Sequence, residues 1–398
     1  MKTRPLLLLL TCCLLLSLLT GCWSKMEVND VGIVTAVGLD QTDKGKLLLS
    51  LELAIPRMLG VTNQTSGEKL ETTAGWIVSA EGNTIMEAYR FIQQKLPRKI
   101  VFYHSKVIVI GEKLARSGIL PVLDFFERYK QSQIRSHLLF TQGKAVDILK
   151  FMPKFEKLSS EIIREEAKSQ ISLSTRVLNF IDMLMSDGDC PIAAQVELTQ
   201  AEVGSKNRST PNADTEGLAL KGAAIFKKDK LIGWLNEKET RGVLWLKGQM
   251  NEAVTTIEVP KDKGGGKISS QIQHTSTSIK PHIANNQIMM QVDAYADVLI
   301  FENSSELDLS KPSDVNYVHG LVADDIRERI RLICDKAQHQ LQTDILGFGR
   351  HVYRHLPKEW RTTYAHRWDE QFPDLDIRIT PHLIVRQVGL VGKPITVD

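Results

Sequence analysis

A chain of 398 residues with 42% apolar side chains is long enough for two or three domains, each with its own core. Its 50 basic and 47 acidic residues leave a formal charge of +3, too little concentrated positive charge for nucleic-acid binding. Outside the first 24 residues no stretch reaches 18 uninterrupted apolar residues, which argues against a further membrane-spanning helix.

The first element is an apolar run from Leu6 to Leu19, preceded by Lys2 and Arg4. As a helix its 14 residues reach about 21 Å at ~1.5 Å per residue, short of the roughly 30 Å hydrocarbon core. A positive start, a short apolar run and small residues at its end form a secretory signal. Leu19-Thr20-Gly21-Cys22 resembles the bacterial lipobox, in which the cysteine is diacylglycerylated and cleavage leaves it first in the chain. Residues 1–21 are therefore expected to be removed as a signal peptide, lowering the formal charge from +3 to +1. Two acyl chains of ~15 methylenes at ~0.8 kcal/mol each supply on the order of 20 kcal/mol of membrane affinity. Cys12 and Cys13 leave with the signal. Of the remaining thiols, Cys190 and Cys334 carry no spacing signal, and two isolated thiols are favoured over a permitted disulfide.

From Val31 to Ile55 the pattern is strand, turn, strand. Residues 60–75 read as a polar loop, "WIVSAEG" as a strand, and Asn83 as the cap of a helix carrying Ile85, Ala88, Ile92 and Leu96 at helical spacing. "KIVFYHSKVIVIGEKLA" reads as a β-rich run, "ILPVLDFFERY" as a helix, "IRSHLLFTQG" as a strand and "KAVDILK" as a short helix; 159–170 and 176–186 follow as amphipathic helices. This makes 22–203 an N-terminal α+β region, bounded by a polar linker at 204–217. A central α+β domain, 218–264, opens with a β-hairpin turning near Asp229-Lys230. Asn236 then caps a helix, with Glu239 at N3 in a capping-box arrangement, and "TTIEVP" is a strand. The C-terminal α+β domain, 265–398, has two long strands turning around residues 284–286, a long helix at 314–344 and a final strand.

Few motifs point to chemistry. His351 and His355 stand at i and i+4, but Val352 occupies the place of the glutamate in H-E-x-x-H, and Arg350, Arg354 and Lys358 disfavour a cation. "KDKGGGK" lacks phosphate-loop spacing and reads as a linker or hairpin loop. No G-x-S-x-G elbow occurs, and Glu161, Glu165 and Glu166 alternate with Arg164 and Lys168 as on a solvated helix face. Trp360, Trp368 and Phe372, close behind Gly347 and Gly349, either staple irregular segments to a domain or form a partner surface, and the structural role is favoured.

Four segments, "GCWSKMEVNDVGIVTAVGLDQTDKGK", "YHSKVIVIGEKLARSGI", "GAAIFKKDKLIGWLNEKETRGVLWLKG" and "DILGFGRHVYRHLPKEWRTTYAHRWDEQFPDLDIRI", together resemble the Ger(x)C family. These are lipoprotein C subunits of the nutrient germinant receptors of endospore-forming bacteria. The resemblance implies three α+β domains with mixed, largely antiparallel sheets. It implies a non-enzymatic subunit on the outer face of the spore inner membrane, partnered by multi-pass A and membrane-embedded B subunits. No cofactor is implied beyond the diacylglyceryl lipid on Cys22. Carried over by position, Asn29 and Asp30 lie in the motif after the lipidated cysteine, and Gly38 and Asp40 in the first strand pair. Trp234, Asn236, Glu239, Arg241 and Gly242 form the central signature, and Trp360 and Trp368 belong to the aromatic segment. The competing expectation is a solute-binding lipoprotein that itself captures a germinant or nutrient. An envelope hydrolase is disfavoured by the missing nucleophile and metal constellations.

Overall fold

The computed structural model describes residues 30–55, 74–129, 133–153, 156–169, 172–200, 216–284 and 287–387. The expected signal peptide, Cys22, Asn29, nearly all of the 204–217 linker and the turn at 285–286 lie outside the described residues.

The first half alternates strands and helices: β1 (Val31–Gln41), β2 (Leu47–Ala54), β3 (Gly75–Gly82), α1 (Ile85–Lys95), β4 (Lys99–Val101), β5 (Val107–Gly111), α2 (Glu112–Ser117), α3 (Leu120–Arg128), β6 (His137–Thr141), α4 (Ala145–Leu149), α5 (Ser159–Lys168), α6 (Val177–Met185) and β7 (Ile192–Gln200). Then come β8 (Glu216–Lys227), β9 (Lys230–Leu235), α7 (Glu237–Leu246), β10 (Ala253–Glu258), β11 (Lys267–Ala284), β12 (Gln287–Asn303), α8 (Pro312–Asp335), α9 (Phe348–His355), α10 (Trp368–Gln371) and β13 (Asp376–Gln387). The class is mixed α+β, as expected. One sheet of nine strands runs β3-β2-β1-β5-β6-β7-β8-β9 with β4 also on β1, and a second runs β10-β11-β12-β13. Most ladders are antiparallel; parallel pairing is confined to the centre of the first sheet and to β12 with β13.

The central strands of the first sheet are apolar without alternation because both faces are covered. Ala36, Val107, Val109 and Leu139 face α4 and α5, while Val37, Leu39, Ile108, Ile110 and Phe140 face the core beneath α1, α2 and α3. The second sheet is covered on one side only. Along β12, Met290, Val292, Ala294, Ala296, Val298 and Ile300 alternate inward, and Val318, Val322, Ile326, Ile330 and Ile333 of α8 meet them in one core.

Several local expectations shift. The cap of α1 is Thr84, whose hydroxyl accepts from Glu87 N–H, while Asn83 donates its own N–H to Glu87. The β-rich run at 99–115 breaks at Gly111, where α2 begins. Residues 218–264 do not close a core of their own: β8 and β9 extend the first sheet and β10 edges the second. The "KDKGGGK" segment is the loop of the β10–β11 hairpin. The long helix is α-helical over Pro312–Asp335, and then widens into a π-helical turn, Lys336–Leu341. That turn carries the buried Gln338 amide to the carbonyls of Phe372 (3.0 Å) and Leu375 (2.9 Å), closing an irregular segment that secondary structure leaves unpaired.

Gln338→Leu removes the side-chain donor from the Leu375 carbonyl and leaves the Phe372 carbonyl only the 3.3 Å bond from Leu375 N–H. The expected loss is about 2–4 kcal/mol, read as a lower urea midpoint at unchanged m-value.

Candidate functional site

The central signature lies where the two sheets join. Asn236 follows β9 and accepts Glu239 N–H at 3.0 Å, and the Glu239 carboxylate accepts Asn236 N–H at 2.8 Å, a complete capping box on α7. The same Glu239 carboxylate binds Lys336 Nζ at 2.7 Å, with both side chains largely buried. Lys336 also reaches the Trp234 carbonyl at 3.4 Å, and the Trp234 indole donates to Glu112 of α2 at 3.4 Å. Arg241 pairs with Glu237 along the outer face of α7 at 2.8 Å. Gly242 marks the crossing with α8: a Cβ there would stand 2.6 Å from Ile333 Cγ2 and 2.8 Å from the Arg329 carbonyl. The signature therefore binds an edge of the first sheet to the helix that covers the second.

A second junction forms around Asp344. This fully buried carboxylate accepts N–H bonds from Leu346 (3.2 Å), Phe348 (3.1 Å) and Gly349 (2.7 Å) and from the Trp368 indole (2.9 Å). Burial pushes its pKa up to about 6, against the lowering effect of those donors. Gly349 lies against Gly188 of the loop after α6; a Cβ on either would fall 2.6 Å from the other's backbone. Arg350 N–H donates to the Gly188 carbonyl at 3.0 Å, and its guanidinium spans Asp182 (2.8 Å) and Asp189 (3.3 Å). Burial raises the Asp189 pKa, with Lys247 and Arg350 opposing it. Lys247 keeps part of its chain at the surface, but desolvation of its ammonium lowers its pKa while Asp189 pulls the other way.

Trp360 and Trp368 are 2% and 5% exposed with ring centroids 5.4 Å apart, so they staple this segment inward and do not face a partner. His351 and His355 stack at 6.1 Å, and burial drops the His351 pKa to about 4. Among the described residues no group of three or more His, Cys, Asp or Glu could hold a metal ion. Cys190 and Cys334 are free, and burial pushes the Cys190 thiol up to about 12, away from reactivity.

The three remaining described signature positions lie elsewhere. Asp40 on β1 accepts the N–H groups of Ala145 (2.7 Å) and Val146 (3.1 Å), capping α4 across the sheet, with its pKa raised by burial. Gly38 lets α4 approach, since a Cβ would stand 2.9 Å from Leu149 Cδ1. Asp30 is exposed just ahead of β1. Sequence reasoning missed Asp344, Asp189, Lys247 and Lys336. The one legible hint was an aspartate placed four residues before Phe348, where α9 begins, in a segment that spaces two glycines. The arrangement offers buried, paired charge suited to fixing orientation.

Residues 24–198 match the family model described as Spore germination protein N-terminal domain, and residues 221–389 match Spore germination B3/GerAC like, C-terminal. Similar proteins in Bacillus subtilis (strain 168) include Putative spore germination protein YfkR, 26% identical over 379 residues, which span 95% of this chain and 96% of that one. Spore germination protein KC is 26% identical across 95% of this chain and 94% of its own length. Spore germination protein B3 is 25% identical across 94% and 96%. A solved structure, the crystal structure of the GerBC protein, aligns with a TM-score of 0.52 at 19% identity, over 88% of this chain and 96% of that one, a likeness of fold.

Asp344→Asn places an amide NH2 against some of four donors, and the expected loss is about 2–4 kcal/mol by equilibrium denaturation. Asp344, held near 6 against an ordinary 3.8, gives stability that is full below pH 4 and lost as pH rises through 6. His351, at about 4 against 6.5, gives stability that is full above pH 6.5 and lost as pH falls through 4. The two offset each other in the native chain. His351→Phe leaves Asp344 unopposed, so its melting temperature should fall from pH 4 to 6.5 relative to the native profile; parallel profiles would refute the assignment.

Proposed function

The chain belongs to the spore germination B3/GerAC-like family, and from that membership we propose that it is the lipid-anchored C subunit of a nutrient germinant receptor. The observation that carries the reading is the succession of N- and C-terminal family domains directly behind Leu19-Thr20-Gly21-Cys22. Cys22 bears the diacylglyceryl anchor, and the folded body stands on the outer face of the spore inner membrane beside A and B membrane subunits. Its work is assembly and signalling, without a catalytic step. Two sheets locked by buried ion pairs make a body that keeps its docking surfaces in fixed relation, as contact with two partners at once requires. Among the described residues no helix is long and apolar enough to cross a membrane.

Cys22→Ala should shift the protein from the membrane to the soluble or unprocessed fraction and impair nutrient-triggered germination. Spores carrying a fully soluble variant that germinate normally on nutrient would remove the anchor from the mechanism.

A further inference from the structure

A cationic cleft of about 310 Å³ opens between the segment preceding β5, the segment leading into β6 and the side chains of α5. Lys106, Arg135, Arg164 and Lys168 line it, and no carboxylate does among the described residues. Glu165, which is not part of the lining, binds Arg164 Nη2 at 2.5 Å and Lys168 Nζ at 3.0 Å, neutralising one of the four charges. Lys106 and Arg135 have no acidic partner among the described residues. Two buried polar atoms of the lining, Ser105 Oγ and Arg164 Nε, have no hydrogen-bond partner, and Ser105 is only 4% exposed. The positive field is felt by His137 in the same wall: burial first, then Arg176, Lys168 and Arg164, push its pKa below the ordinary value.

The cleft also has a defined place in the fold. It lies at the N-terminal ends of β5 and β6, which run parallel with β1 through the pairs Ala36–Val107 and Val107–His137. β1 itself starts at Val31 on that same end. Cys22 precedes Val31 by nine residues, a reach of at most ~30 Å at about 3.4 Å per residue. A lipid carried on Cys22 therefore tethers the cleft end of the sheet close to the bilayer surface. Guanidinium and ammonium groups arriving from three chain segments can engage several oxygens of one phosphate at once, more than the two oxygens a carboxylate presents.

We propose that this cleft binds the phosphate of an anionic phospholipid headgroup, a second membrane contact that sets how the first sheet stands on the bilayer. It rests on the anchor reading for its closeness to the membrane. One acylated residue fixes distance but leaves rotation free, and a charged contact on the same end removes that freedom.

The test uses the full lipidated chain in phosphatidylcholine vesicles, with or without phosphatidylglycerol, read by amide hydrogen exchange at residues 103–106 and 133–137. A third arm adds inorganic phosphate to the phosphatidylcholine sample. Phosphatidylglycerol should slow exchange at these amides, by about fivefold for each cation engaged. Lys106→Gln with Arg135→Gln should abolish the effect at unchanged melting temperature, and Lys261→Gln with Lys263→Gln, in the β10–β11 loop, should keep it. Slowing by inorganic phosphate without any response to phosphatidylglycerol overturns the lipid source. Absence of both responses, or equal loss in the Lys261/Lys263 variant, overturns the site. The mass of the N-terminal peptide reports acylation of Cys22 separately, and the inorganic-phosphate arm does not need attachment, so failure of the anchor and failure of the cleft read differently.

Discussion

Burying the Asp344 carboxylate costs several kcal/mol of desolvation, and the surrounding segment is arranged to offset that cost. Three backbone N–H groups and the Trp368 indole aim at it, each bond to a charged acceptor contributing about 1.5–3 kcal/mol. Those donors come from the start of α9 and from α10, so satisfying one carboxylate gathers the whole irregular stretch between α8 and β13. Once gathered, Gly349 meets Gly188, and Arg350 engages Asp182 and Asp189 beyond it. The crossover that permits β13 to run parallel to β12 depends on this closure, because a parallel pair needs a long, ordered return.

The Glu239–Lys336 pair works on the other side of the same connection. Its carboxylate has two duties, reciprocal capping of α7 and pairing with the residue that opens the π-helical turn. Removing either partner would strand a largely buried charge, which makes such a pair stronger as a constraint on geometry than as a source of stability. With Gly242 allowing α7 and α8 to touch, strand β9 of the first sheet and α8 over the second hold one relative position. For a subunit proposed to work among membrane partners, that rigidity matters more than any pocket at the junction. The cationic cleft stands apart from it, at the end of the first sheet from which the chain leads back to Cys22.

Much of this was legible before the fold was known, and the failures have physical causes. Asn236 and Glu239 were readable as a capping box because capping is local: both partners lie within one turn of the helix they serve. At the start of α1 two adjacent residues could cap, and the choice between Asn83 and Thr84 fell to backbone geometry that sequence does not display. Residues 218–264 read as a separate domain because the polar 204–217 stretch looks like a boundary, yet hydrogen bonding carries β7 to β8 across it. Asp344 is hidden in the sequence because its side-chain donor, Trp368, lies 24 residues on, and its near donors, at Leu346, Phe348 and Gly349, are backbone N–H groups whose aim residue identity does not display. Trp360 and Trp368 were visible as a cluster, but only their burial separates a staple from a docking surface.

The sequence by itself determined the α+β class, most strands and helices, and the family to which the chain belongs, and it carries the Leu19-Thr20-Gly21-Cys22 pattern on which the proposed anchor rests. These rest on periodicity, capping and ordered motifs, which act over a few residues or are read directly. Tertiary structure alone decided that two sheets share the segment after the linker and that Asp344, Lys336 and Lys247 are placed where charge is desolvated. It alone brought four cations from three segments into one cleft. Such features depend on which distant residues exclude water from one another, and no local pattern encodes that.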